Sequence, residues 1–132
     1  MVFTQVNWIA IIIVAVFNMI LGTLWYGPLF GGLWLRIIGK NKEEISSNPG
    51  MYIFSFVGAL VAAYVLNVLV SGLGLTTWWW GAAAGAVVWV GMGATGTLTY
   101  SIFNGPPLGA WLLFSLYGLV VYGAGGMLFA LW

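Results

Sequence analysis

The chain has 132 residues, of which 63% are hydrophobic and only 4% are charged. Soluble globular proteins carry about 25% charged residues, so this composition excludes a soluble domain. The net charge is +1 and the sequence has no His and no Cys, which excludes a basic nucleic-acid-binding surface, disulfides, Cys or His metal sites and His or Cys catalysis. We therefore expect one integral membrane domain over residues 1–132, with the lipid bilayer as its surroundings and no nucleic-acid partner.

Four apolar runs are long enough to cross a bilayer, since a spanning helix needs about 20 residues. They cover about residues 8–27, 51–71, 77–100 and 108–132. None alternates between apolar and polar residues, as β-barrel strands do. The first run has no Lys or Arg before it and no cleavage pattern after it, so we expect a retained helix rather than a signal peptide. The predicted fold class is all-α, an integral membrane four-helix bundle.

Two of the three breaks between these helices carry proline. Pro28 is predicted to end the first helix, because proline lacks the amide donor and disfavours helical geometry before it. The apolar stretch 29–39 is then either a helix in the membrane interface or a continuation of the first helix past a kink. Asn48-Pro49 is typical of the N-cap and first residue of a helix. Residues 104–107 separate the third and fourth helices.

All charged side chains lie between residues 36 and 44. Short loops rich in Lys and Arg stay in the cytoplasm. Arg36, Lys40 and Lys42 therefore predict that the charged loop 36–49 is cytoplasmic and that both termini are extracytoplasmic. The expected location is the cytoplasmic membrane of a prokaryote, and dual topology is the alternative.

The sequence contains nine Trp residues, most of them at predicted helix ends. This distribution is typical of the aromatic belts that anchor helices at the membrane interface. Trp89 differs because it lies near the middle of the third helix. It is expected either to pack in the core or to line a ligand site.

Each predicted helix carries one stripe of small and polar residues. Small residues allow helices to approach closely in lipid, and polar side chains bond between them. The predicted helix-packing positions are Gly22, Gly81 and Gly85 (a GxxxG pair), Gly96 and Gly118. The candidate contacts between helices or with a ligand are Asn18, Trp25, Tyr26, Tyr64, Asn67, Trp89, Thr95, Thr99 and Tyr122.

The run LGTLWYGPLFG at residues 21–31, with Asn7-Trp8 before it and Trp34 after it, is specific enough to compare with known families. It resembles the opening of a family of small bacterial and archaeal four-helix membrane proteins catalogued only as a domain of unknown function. The resemblance continues through residues 63–66, the Gly-rich third helix and Trp132. It implies the four-helix architecture and brings no activity.

The last helix of that family often carries a Tyr-His pair, whereas here Tyr117 is followed by Gly118. Any role that depends on this His would be absent from the chain. Two other groups of four-helix proteins have a similar length. Small multidrug exporters depend on an acidic residue in the first helix, which is missing here. Fluoride channels are only loosely similar to residues 95–101.

No Asp, Glu, Lys, Arg or His lies inside a predicted span, which leaves no agent for acid–base catalysis or ion pumping. The sequence therefore predicts a non-catalytic protein without cofactor or metal, acting through helix packing as a homo-oligomer or an accessory subunit of a larger membrane complex. Two alternatives stay open. One is a channel or transporter for a small neutral or anionic solute, lined by Asn18, Asn67 and the threonines of helix three. The other is a binder of lipid, quinone or pigment between aromatic side chains.

Overall fold

The computed structural model describes residues 6–44, 48–105 and 107–132, with the backbone alone at residue 44. All regular elements in these residues are helical, and four segments are apolar and long enough to cross a membrane. The predicted all-α membrane fold is thereby confirmed. The predictions for residues 1–5, for 45–47 of the charged loop and for Pro106 lie outside the described residues.

Of the six α-helices in the described residues, five belong to the four spans, and the short α2 lies between the first two spans. α1 (Trp8–Leu24) continues into a π-helical stretch (Trp25–Leu29), and the short helix α2 follows (Gly31–Ile38). A single 3-10 turn (Lys42–Glu44) precedes α3 (Pro49–Gly72). A second π-helical stretch (Trp89–Ala94) joins α4 (Trp78–Val88) to α5 (Thr95–Phe103), and α6 is Leu108–Leu131. Successive spans run in opposite directions, so residues 36–44 and 104–105 lie at one end of the bundle, called here the charged end.

Helical geometry is interrupted at Gly27, where the sequence places the end of the first helix. The backbone of Gly27 has φ −114° and ψ −106°, outside the helical region, and Pro28 follows it. The span therefore bends and continues to Leu29 before α2 begins as a separate helix. Gly31 allows this geometry, since a Cβ atom there would lie 2.7 Å from the carbonyl oxygen of Tyr26. After this kink α2 is a separate helix, and it contacts α6.

The start of α3 follows the predicted capping. The side chain of Asn48 accepts a hydrogen bond of 3.1 Å from the amide of Met51, and Pro49 occupies the first turn. The predicted N-cap is confirmed, and it places the start of α3 two residues before the apolar run. Asn7 caps α1 in the same way by accepting from the amide of Ala10 at 3.1 Å.

The closest helix contact is between α4 and α6. A Cβ atom on Gly81 would lie 2.2 Å from the carbonyl oxygen of Gly126. One on Gly85 would lie 1.9 Å from the carbonyl oxygen of Tyr122. The two backbones are therefore in direct contact, which is possible only because these positions lack side chains. α6 also packs against α1 and α3, whereas α3 and α4 touch only marginally.

We expect Gly85→Ala to destabilise the bundle by about 1–3 kcal/mol, because the added methyl forces α4 and α6 apart. Gly96→Ala is the matched control, since no atom lies within 4 Å of a Cβ atom at that position in the same span. It should change stability by less than about 0.5 kcal/mol. SDS titration followed by tryptophan fluorescence measures both variants. Equal stability of the two variants would contradict the close contact.

Candidate ligand-binding cavity

A cavity of about 620 Å³ lies between α1, α3 and α6. It extends from the middle of the spans, at Asn18 and Trp89, towards the charged end, at Tyr26 and Tyr52. Its remaining lining residues are Met19, Gly22, Thr23, Trp34, Ser55, Gly58, Ala59, Ala62, Phe114, Tyr117, Gly118, Val121 and Tyr122. The cavity thus spans both the interfacial and the apolar depth of the bundle.

One side of the cavity is a continuous row of aromatic rings. The ring centroids of Trp34 and Tyr26 are 5.0 Å apart, and those of Tyr26 and Tyr117 are 6.0 Å apart. Phe114 follows at 6.4 Å from Tyr117. Trp89 contacts Phe114 at 5.4 Å and Tyr122 at 5.1 Å. These separations are typical of favourable aromatic pairs, here tilted or edge-to-face, so the row is a continuous aromatic wall of the cavity.

A hydrogen bond inside the cavity ties α1 to α6. The Tyr117 hydroxyl donates to the backbone carbonyl oxygen of Asn18 at 2.7 Å and also bonds to the side-chain oxygen of Asn18. Gly22 makes room for this hydroxyl, since a Cβ atom on Gly22 would lie 3.0 Å from it. The side chain of Asn18 also lines the cavity, and a side-chain amide can both donate to and accept from a ligand.

Trp89 is held rigidly at the inner end of the cavity. Its ring lies between Gly93 and Gly118, where added Cβ atoms would come within 2.2 Å and 2.1 Å of ring carbons. Its indole N–H donates to the carbonyl oxygen of Ser115 at 2.8 Å. Trp111 makes the reverse link, from α6 to the carbonyl oxygen of Ala94, at 2.9 Å. Trp89 therefore offers the cavity a fixed apolar surface and no free donor.

The α3 side of the cavity is made of small residues. Ser55, Gly58, Ala59 and Ala62 follow one another at helical spacing and all line the cavity. A Cβ atom on Gly58 would have no neighbour within 4 Å, whereas the glycines between α4 and α6 are in direct backbone contact. Small residues on α3 thus leave space open rather than bring two helices together.

The polar groups around the cavity are mainly hydroxyls, which can donate to an oxygen acceptor on a ligand. The hydroxyls of Tyr26 and Tyr122 have no hydrogen-bond partner in the described part of the chain. The indole N–H of Trp25 is buried, likewise without a partner among the described residues, and its ring is 6.0 Å from that of Tyr117. None of the described residues that line the cavity is Asp, Glu, Lys or Arg. The site therefore suits an uncharged molecule that carries oxygen acceptors.

The structure brings together about half of the residues singled out from the sequence. Asn18, Gly22, Tyr26, Trp89, Gly118 and Tyr122 all line the cavity, and Trp25 lies beside it. Tyr64 and Asn67 lie towards the other end of the bundle. Tyr64 stacks on Trp8 at 5.7 Å, and the buried side chain of Asn67 accepts from the amide of Asn7 at 3.4 Å.

Three other positions face away from the bundle interior. Thr95, Gly96 and Thr99 are exposed, and the two threonine hydroxyls donate to carbonyl oxygens of their own helix. The sequence prediction continued the stripe of Gly81 and Gly85 at a regular period of 3.6 residues. The π-helical stretch adds residues to the turn and rotates α5 relative to that stripe.

The rotation has two consequences for the residues that were predicted to face the bundle interior. Ala94 and Thr97 face inward where Thr95 and Thr99 were expected to do so. Asn18, Asn67 and the threonines consequently do not line a common path.

The cations Arg36, Lys40 and Lys42 are exposed at the charged end.

Sequence reasoning missed Phe114 and Tyr117 as cavity residues. It assigned one stripe to each helix and gave α6 the stripe that faces α4. α6 also packs on α1 and α3, and its second face carries Phe114, Tyr117 and Val121 at spacings of three and four residues. Their helical spacing was the signal available in the sequence.

The amino-acid sequence matches a known protein family. The model of one family, described as "Protein of unknown function (DUF1761)", matches residues 9–130. No curated protein and no solved structure gives a significant match. The match covers almost the whole chain and confirms the resemblance to an uncharacterised family that the residue 21–31 run indicated. The four spans and this match together show that the chain is a multi-pass membrane protein of the DUF1761 family.

Proposed function

We propose that the protein is a non-catalytic membrane protein that binds an uncharged, ring-containing molecule in the cavity between α1, α3 and α6. The observation that carries the proposal is the space itself: about 620 Å³, partly open to the surface, with an aromatic row on one side and small α3 residues on the other. Pockets of this size, largely apolar and with a few placed polar groups, are typical of small-molecule sites.

The chemistry of the lining narrows the class of ligand. The aromatic row from Trp34 to Tyr122 favours a planar ring by stacking. The donors of Asn18, Tyr26 and Tyr122 favour oxygen acceptors on that ring. The absence of charged residues from the lining disfavours an ion, because a charge without a partner is costly to desolvate. A quinone-like head group has these properties.

The same lining supports a role in which the protein catalyses no reaction and holds no resident cofactor. Proton transfer at neutral pH needs a side chain whose pKa lies near the working pH, and His, Asp, Glu or Lys usually supplies it. In the part of the chain that the structure describes, no such residue lines the cavity. Binding, storage or presentation of the molecule within the membrane is the function that this surface supports.

Binding can be measured with the tail-less quinone 2,3-dimethoxy-5-methyl-1,4-benzoquinone as the probe. The chain has no Cys, so the probe cannot form thiol adducts with it. We expect saturable binding to the protein in nanodiscs. Tyr26→Phe should weaken binding about two- to tenfold, because it removes one hydroxyl that donates to the ligand.

Tyr100→Phe is the control for this measurement, since Tyr100 is 59% exposed and does not line the cavity. It removes the same atom and should leave the affinity unchanged. Native mass spectrometry of the protein extracted in mild detergent should also show a small apolar molecule bound. Absence of saturable binding in wild-type protein, or equal weakening by both variants, would refute the proposal.

A second candidate function is association with another membrane subunit, either a second copy or a larger complex. It is favoured by the outward face of the third span, where Gly91, Thr95, Gly96 and Thr99 are exposed. Added Cβ atoms on Gly91 and Gly96 would meet nothing within 4 Å. Small and hydroxyl-bearing residues on a lipid-facing surface are typical of helix–helix interfaces in membranes.

For this association we expect a Thr95→Cys variant to form disulfide-linked dimers in bilayers under mild oxidation. Val57→Cys is the control, because Val57 is 50% exposed at a similar depth on α3. A cross-link from position 95 to a different protein of defined mass, in native membranes, would instead support an accessory subunit. Equal cross-linking at both positions, or none at position 95, would contradict the proposal.

We further propose that the charged end faces the cytoplasm of a prokaryotic cell, because all cations lie there. Asn7, the turn at residues 73–77 and Trp132 then lie on the extracytoplasmic side. In intact cells, an impermeant thiol reagent should label Thr76→Cys and leave Lys42→Cys unlabelled until the cells are opened. Labelling of Lys42→Cys alone would reverse the orientation, and labelling of both would indicate dual topology.

A further inference from the structure

A second space adjoins the cavity. It is a cleft of about 340 Å³ between α3 and the π-helical stretch of the third span. The cavity and the cleft share Ala62, Trp89 and Tyr122. At the outer edges of the cleft, Val65 and Met92 are 48% and 78% exposed, so the cleft opens on the surface that meets the lipid. Its other lining residues are Leu66, Val88 and Gly93.

The two spaces differ in chemistry. The cavity presents the polar groups of Asn18, Tyr26 and Ser55. The cleft is lined by aliphatic residues, Met92 and Gly93, apart from the two aromatic residues that it shares with the cavity. Of these two, Trp89 already donates its N–H to Ser115. A molecule that fits both spaces therefore has a polar part in the cavity and an apolar part in the cleft.

We propose that the ligand is an uncharged amphiphile with an oxygen-bearing planar ring and one long apolar chain. The ring occupies the cavity, and the chain passes over Ala62, beside Trp89 and Tyr122, through the cleft and into the lipid. This inference rests on the proposed function, since it adds a chain to the ring bound there.

Ala62 controls this passage because the neighbouring ring cannot move aside. The ring of Trp89 is in close contact with Gly93 and Gly118, and its N–H is bonded to α6. Ala62 is the smallest of the three shared residues. The width available to the chain therefore depends on the side chain at position 62, and a larger residue there separates cavity from cleft.

Photo-crosslinking tests the route in the unaltered protein. The probe is a benzoquinone with a ten-carbon chain that ends in a diazirine, added to the protein in nanodiscs. We expect the label on cleft residues such as Val65 and Met92, and we expect the tail-less quinone to reduce labelling. Label spread over lipid-facing positions around the bundle, as an ordinary lipid would give, would overturn the proposal.

Ala62→Leu tests the same route by affinity. It should weaken binding of the decyl quinone about tenfold more than binding of the tail-less ring, since roughly two chain methylenes lose their burial, whereas a loss at the cavity lining is common to both probes. Ala83→Leu is the control, because Ala83 is exposed on α4 away from both spaces. It should change neither affinity.

The outcomes separate this inference from the proposed function. If the tail-less ring fails to bind wild-type protein, the proposed function fails and the chain route falls with it. If the ring binds but the decyl quinone binds no more tightly, the chain route is refuted and the proposed function stands. The same conclusion follows if Ala62→Leu weakens both probes equally.

Discussion

Direct backbone contact between α4 and α6 is the constraint on which the rest of the fold depends. Gly81 and Gly85 meet Gly126 and the Tyr122 carbonyl at distances that no side chain permits. Lipid supplies no hydrophobic drive for helices to associate, so stability comes from close packing and from bonds between helices. The indole bonds of Trp89 and Trp111 add to this contact further along the same interface. With α4 held against one face of α6, the other face is available to α1 and α3.

The cavity lies where small residues on α3 have no helix packed directly against them, unlike the small residues on α4. α3 carries small residues as α4 does, but Gly58 has no neighbour where Gly85 has a backbone. The hydrogen bond from Tyr117 to Asn18 holds α1 against α6 on the far side of the space. Small residues in a membrane helix thus have two opposite uses in one chain, and only their surroundings tell them apart.

The sequence was sufficient to predict the membrane-spanning helices and some of the residues that line the cavity. Length and hydropathy predicted four spans, and Asn48-Pro49 predicted the start of α3. Asn18 and Trp89 were identified because a polar or bulky residue inside a span needs a structural reason. The exposed positions of Thr95 and Thr99 could not be predicted, because regular periodicity does not reveal a π-helical stretch. Tyr117 was not predicted as a cavity residue, because hydropathy does not show that other helices pack against two sides of α6.

The position of α6 along the chain affects how the bundle assembles. α1 and α3 can pair as soon as both have entered the bilayer. The span of α4 and α5 emerges next and has little surface in common with α3. Its glycine face then remains against lipid until α6 is synthesised. Completion of the bundle is therefore delayed until the fourth span inserts, and a ribosome that stalled before Leu108 would leave three helices without the partner they share.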